Sequence, residues 1–274
     1  MRASLSQRRF QIGVALVLLV VAVAAIGPYF APYGEQEFIG LANTRDTEGT
    51  LLGTDYFGQD VISRFLYGGR LIVIMATAAT LLGLIGGVTV GLIAAYQGGK
   101  VDNALMRFMD ILLAFPQLLL ALVALTTIGP KPWLIILIVG LTTMPRIARI
   151  ARGAAMSVVT QDFVSAAEAL GESRYRIVTR EILPNVSGPL LVEANLRLTY
   201  SVGIIAGLGF LGFSAGVNTA DWGRMIQENQ GALSLQPWGV VLPSVAIASL
   251  TIGTGFMADG LSRAISGIER GKAE

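Results

Sequence analysis

The spacing of charges constrains this chain more than any other feature. Six stretches hold no Asp, Glu, Lys or Arg: residues 10–34, 71–99, 111–130, 132–145, 198–220 and 229–258. A membrane-spanning helix needs about 20 mostly apolar residues. Five of the six meet that length, and the fourth, Pro132–Pro145, is short but intensely apolar from Trp133 to Val139. It spans if its helix continues through Pro145 and Arg146, with the arginines reaching the interface. The pattern therefore predicts an all-α membrane protein with six transmembrane helices, at about 12–28, 71–96, 103–128, 132–150, 189–212 and 239–260.

Composition agrees and removes whole classes of chemistry. The chain is 53% hydrophobic and only 14% charged, which excludes both an ordinary soluble domain and a disordered one. It has no His and no Cys. Ser-His-Asp and Cys-His catalysis, zinc sites built on those ligands, haem, iron–sulfur clusters and disulfides are all excluded. No catalytic, cofactor or metal site is expected.

The basic residues set an orientation. With the N-terminus inside, 14 Lys and Arg lie on the cytoplasmic side and 5 on the outer side, while Arg197 falls inside the fifth helix. This bias predicts that both termini are cytoplasmic. It also accounts for the basic balance without nucleic acid. Arg8-Arg9 followed by an apolar run and Ala22-Val-Ala24 resembles a cleavable leader, but the run is long for one, which favours a retained helix. Two units follow. Residues 1–70 form a first transmembrane helix and an extracytoplasmic loop, and residues 71–274 form a five-helix core. Within the core, residues 151–188 are too charged to cross a membrane and too apolar to be a tail.

Several motif matches fail on context. Gly207-Leu-Gly-Phe-Leu-Gly212 fits a dinucleotide pattern but lies at the end of a membrane helix, outside any βαβ unit. Gly212-Phe-Ser-Ala-Gly216 fits a nucleophile elbow, but Ser214 has no His as base and only remote Lys131 as an alternative. Neither Gly99-Lys100-Val101 nor Gly271-Lys272-Ala273 completes a Walker A loop. Ala79, Gly83, Gly87, Gly91 and Ala95 recur every four residues and so share one helix face, where small residues let backbones approach. That face serves either a subunit interface or packing within the chain. Asp102 can cap the third helix, Arg107 and Asp110 can pair, and Pro116 predicts a kink.

Residues 161–185 carry the functional signal. Gln161–Leu170 suits a short helix with Phe163, Ala166, Ala167 and Leu170 on one face. Gly171 ends it, Ser173 caps a second short helix, and Pro184 stops that one. The alanines leave a shallow surface suited to a partner's groove; an amphipathic pair lying on lipid is the alternative.

Ser165-Ala166-Ala167-x-x-x-Gly171 followed by Ile182-Leu183-Pro184 resembles the EAA loop of binding-protein-dependent ABC importer permeases. Gly53-Thr-Asp-x-x-Gly58-x-Asp60 and Gly98-Gly-x-x-Asp102-x-x-x-Met106-Arg107-x-x-Asp110-x-x-Leu-Ala-Phe-Pro116 look like signatures of the C-type permease of dipeptide and oligopeptide importers. Trp222-Gly223, Pro237-Trp238 and Asp259-Gly260-Leu261 fall in the expected order. The sequence departs from the pattern at Ser165, where the family has Glu, at Gln59, where it has Arg, and after the sixth helix at Ser262-Arg-Ala-Ile. Glu168 is the candidate to replace the missing charge at 165.

The resemblance implies the type I ABC importer permease fold, in the cell (inner) membrane, as one half of a pathway completed by a second homologous permease. It implies two cytosolic ATPase subunits that carry ATP-Mg, leaving this chain without a cofactor, and an extracytoplasmic solute-binding protein. Coupling to the ATPases would fall to Ser165, Ala166, Ala167, Glu168, Gly171, Ile182, Leu183 and Pro184. The cargo implied is a di- or oligopeptide, with a nickel chelate or oligosaccharide as the alternative. A stand-alone channel lacks an intramembrane carboxylate relay and would leave the loop without a role.

Overall fold

The computed structural model describes residues 8–216 and 219–266, which leaves Arg2, Arg270 and Lys272 outside the described residues. Helices α1 (Arg8–Ile26), α2 (Val61–Gln97), α3 (Gly99–Ala114), α4 (Gln117–Ile128) and α5 (Pro132–Val159) are followed by two short ones, α6 (Asp162–Ala169) and α7 (Arg174–Arg176). A π-helical segment, Ile177–Ile182, leads into α8 (Leu183–Phe210), then α9 (Trp222–Asn229) and α10 (Trp238–Ser266). Among the described residues there is no strand, only two isolated bridges in the loop before α2.

Four helices are long and apolar enough to span a membrane alone: α1 with its 3-10 extension, α2, α5 and α10. The third expected span is broken. Helices α3 and α4 pass the same test only as a pair bent by 73°. Pro116 forces Phe115 into an extended conformation (φ −89°, ψ 126°), so α3 ends and a new helix starts. The expected kink is thus a full break. The fifth span, α8, has the length but carries Glu193 and Arg197, which lower its apolarity.

Helix α2 begins at Val61, ten residues before the expected start at about 71. Asp60 caps it by accepting a hydrogen bond from the Ser63 backbone at 2.8 Å, and the charge of Arg64 is neutralised by ion pairs. Pairing lets the helix run on above the apolar layer. Its small-residue face packs within the chain, along α5. A Cβ at Gly83 would meet Thr143 Oγ1 at 2.4 Å, at Gly87 the Ile147 Cβ at 2.7 Å, and at Gly91 the Ala148 carbonyl at 2.4 Å. Gly13 of α1 and Gly253 of α10 form a second close crossing. Between these seams lies the main core, including Ile72, Met75, Val139, Ile205 and Trp222. One end of the bundle carries residues 27–60 and α9, and the other carries α6 and α7.

Candidate functional site: the α6 surface and the opposite cap

Helix α6 is seated by one residue that the sequence reading passed over. Val164 is buried against Ile177, Ile182, Val186, Leu92, Ala151 and Ala155. Ala167, one turn later, is partly buried in the same cluster. Phe163, Ala166 and Leu170 face outward, and Leu170 is 84% exposed. The predicted four-residue face therefore divides: Ala167 belongs to the chain's own core, and the outward surface is Phe163, Ala166 and Leu170. Ser165 is also exposed.

The corner after α6 is fixed by backbone geometry. Gly171 has φ +78°, a left-handed conformation that disfavours other residues. Its N–H donates to the Glu168 carbonyl at 3.0 Å, and the Glu172 N–H donates to the Ala167 carbonyl at 3.1 Å. Those two bonds are a Schellman closure of the helix end. Ser173 then caps α7, accepting from the Arg176 backbone N–H at 3.4 Å.

Pro184 does not stop the second helix, contrary to expectation. It sits in the first turn of α8, and the chain runs helically from α7 through the π segment into that span. Proline lacks an N–H and its ring crowds the carbonyl four residues back. The Leu183 N–H bonds to the Val178 carbonyl, five residues back, which widens the turn and gives the ring room. Ile182 is buried at this junction, Leu183 is partly buried and Pro184 is exposed.

Glu168, the candidate to replace the charge missing at 165, is exposed on α6. Its Oε1 accepts a hydrogen bond from the Tyr96 hydroxyl at 2.8 Å, tying α6 to the end of α2. The ion pairs around α3 also differ from expectation. Asp110 pairs with Arg149 rather than Arg107, and Asp102 is no cap but takes a bidentate bond from Arg152, both contacts at 2.5 Å. These pairs fasten α3 to α5. Residues on different helices outcompete the local i,i+3 pairing that sequence spacing suggests.

At the opposite end, the Gly53–Asp60 segment folds into a cap. The Asp55 Oδ1 accepts from the backbone N–H groups of Phe57 and Gln59, each at 2.9 Å. Its other oxygen pairs with Arg64, which also donates to Glu228 Oε2 at 2.9 Å. Glu228 pairs in turn with Arg224 at 2.5 Å. At Gly53 (φ +77°) a Cβ would lie 2.1 Å from the Thr44 carbonyl, so only glycine fits. Asn229 accepts from the Tyr56 N–H at 2.9 Å, and Trp222 Nε1 donates to the Phe65 carbonyl at 2.8 Å. Asp221 caps α9, and burial raises its carboxyl above the usual carboxylate range. None of Arg64, Glu228 and Asn229 was singled out from sequence; the i,i+4 spacing of Arg224 and Glu228 was the available signal.

The rejected motifs stay without supporting context. Gly207 lies within α8, and Gly212 follows that helix with no strand before it. Ser214 is buried with no hydrogen-bond partner for Oγ among the described residues, beside a cavity of about 650 Å³ shared with Tyr56, Arg224 and Glu228. No basic side chain reaches it as a hydrogen-bond partner.

Residues 87–267 match the family described as binding-protein-dependent transport system inner membrane component. The dipeptide transport system permease protein DppC of Haemophilus influenzae is 33% identical over 93% of this chain and 88% of its own length. The oligopeptide transport system permease protein OppC of Bacillus subtilis is 30% identical over 95% of this chain and 86% of its own. Among solved structures, an inward-facing form of the MetNI methionine ABC transporter is similar with a TM-score of 0.60 at 18% identity. That match covers 74% of this chain and 96% of the other. It shows a shared fold.

Proposed function

The chain belongs to the family of binding-protein-dependent transport inner membrane components, and from that membership we propose that it is the permease subunit of an ATP-driven importer of di- or oligopeptides. The relatives named for dipeptide and oligopeptide transport support the peptide cargo over a nickel chelate or oligosaccharide. A second, homologous permease completes the pathway, and a solute-binding protein delivers cargo to the end carrying residues 27–60 and α9. That end is extracytoplasmic, and α6 and both termini are cytoplasmic, following the distribution of basic residues. The chain has no Walker A sequence, so ATP-Mg binds to two separate ATPase subunits.

One observation carries the reading. Helix α6 is anchored by Val164 and closed by Gly171, yet it turns Phe163, Ala166 and Leu170 away from its own chain. This is the surface the ATPases grip. Ser165 borders it, Ala167, Ile182 and Leu183 support it from behind, Glu168 ties it to α2, and Pro184 lies where the chain enters α8. ATP-driven movement of the ATPases then rocks the two permeases between access states.

The test is Ala166→Asp. It puts a charge into a close contact, and mispaired charges in interfaces cost about 2–5 kcal/mol. Membrane insertion and pairing with the second permease should be normal, while ATPase co-purification and uptake are lost. Full ATPase recovery with the variant would show that this surface does not dock them.

A further inference from the structure

Helix α8 holds a buried ion pair that the scheme above does not use. Arg197 Nε lies 2.6 Å from Glu193 Oε1, one helical turn away. Arg197 is 8% exposed and Glu193 3%. Both stand near the middle of α8, level with contacts to α2 and α10: Thr80 to Ser201 and Thr199 to Thr254. Taking two charges out of water costs several kcal/mol each, and apolar residues of similar volume commonly pack at least as well there. An ionisable group retained at membrane depth is therefore a functional site by default.

The pair is also incomplete. The Arg197 Nη1 group has no hydrogen-bond partner among the described residues, although it is fully enclosed. The guanidinium carries five donors in a planar fork; Glu193 faces its Nε side as an ion pair without hydrogen-bond geometry, so Nε and Glu193 Oε1 also have no hydrogen-bond partner among the described residues. An aromatic ring lies over the guanidinium. The Arg197 guanidinium carbon sits 4.9 Å from the Tyr200 centroid, and Tyr200 is 53% exposed. On the same side of α8, Gly203 and Gly207 have nothing within 4 Å of where a Cβ would stand. So α8 has one face packed on its own chain and one open face, and the charge lies beside the open face with the half-exposed Tyr200 ring over it.

We propose that Arg197 is a recognition residue for the terminal carboxylate of the peptide in transit, positioned by Glu193 and covered by Tyr200 between passages. This rests on the peptide-import reading above. A guanidinium fork matches a carboxylate with two parallel bonds. Glu193 keeps Arg197 from being a bare charge when no solute is present. Rotation of Tyr200 exposes the fork to the open face, and a cation–π contact exchanged for a charge-assisted bond makes binding transient.

The experiment uses the whole transporter in proteoliposomes, with its binding protein, and two probes: tri-alanine and its C-terminal amide. The binding protein's own selectivity is common to all variants and cancels when each variant's uptake is divided by that of the wild type. Arg197→Gln should lower tri-alanine uptake by about tenfold relative to the amide, the size of one charge-assisted bond. Arg197→Lys keeps the charge beside Glu193, and therefore the fold, but loses the fork. It should shift the same ratio by about threefold. Equal losses for both probes in the lysine variant would overturn the assignment and leave Arg197 a structural partner of Glu193. A wild-type transporter that imports neither probe would overturn the peptide reading itself, and the carboxylate assignment with it.

Discussion

Asp221 meets two opposed demands with one side chain. Its carboxylate accepts from the Arg224 N–H at 3.1 Å and so caps α9, yet it is 1% exposed, and burial raises its pKa. A raised carboxyl pKa favours folding below the normal carboxylate range and costs stability as pH rises through the folded value. At neutral pH the ionised form is therefore a net burden that the cap offsets. Asp221→Asn keeps an acceptor oxygen and removes the charge. We predict an unchanged or higher melting temperature at neutral pH, with the advantage vanishing as pH falls through the carboxylate range. Asp221→Ala loses the cap and should cost about 1 kcal/mol. Thermal unfolding of the detergent-solubilised protein between pH 4 and 8 checks both. An Asn variant less stable than Ala at pH 7 would contradict the account.

The seam between α2 and α5 makes a sharper prediction, because its glycines leave no room. Gly87→Ala places a methyl 2.7 Å from Ile147 Cβ and from the Met144 carbonyl, and neither can swing away. Overpacking of this kind costs about 1–3 kcal/mol. Gly207→Ala enters open space and should fold as the wild type does. Equal yields and melting temperatures for both would mean the helices separate more readily than drawn. Much at this scale was legible from charge spacing alone: the uncharged gaps mark α1, α2, α5 and α10, and Gly171 and Ser173 mark real helix ends. The misreadings share a cause. Pro116 and Pro184 look alike in sequence, but one breaks a helix by 73° and the other rides inside a widened turn. The difference lies in which hydrogen bonds the neighbouring turn can offer. A helical face is defined by what packs on it, and for α6 that partner, Ile177 and Ile182, lies across a corner, so Ala167 turns inward and Val164 carries no signal of its own. The Arg64, Asp55 and Glu228 cluster was invisible because its members are up to 173 residues apart.

At the scale of the molecule, α2 joins the two ends. Its 37 residues reach about 55 Å at 1.5 Å per residue, well beyond a hydrocarbon layer of about 30 Å. At one end it presents Arg64 to Asp55 and Glu228, and at the other Tyr96 to Glu168 on α6. It is also clamped along α5, so a push on α6 reaches the opposite cap through one stiff element. Among the described residues, the Tyr96 bond is a polar tie between α6 and that rod. Tyr96→Phe removes the hydroxyl and leaves Phe163, Ala166 and Leu170 untouched. The ATPases should then bind normally and hydrolyse ATP, while peptide imported per ATP falls about fivefold, the worth of roughly 1 kcal/mol of hydrogen bond. Glu168→Gln keeps an acceptor oxygen for the tyrosine and should lose less. The measurement is uptake and ATP hydrolysis in the same proteoliposomes. A Phe variant with the wild-type ratio would place transmission in the other connection, the π-helical junction from α7 into α8, where Ile177 and Ile182 are already packed under Val164.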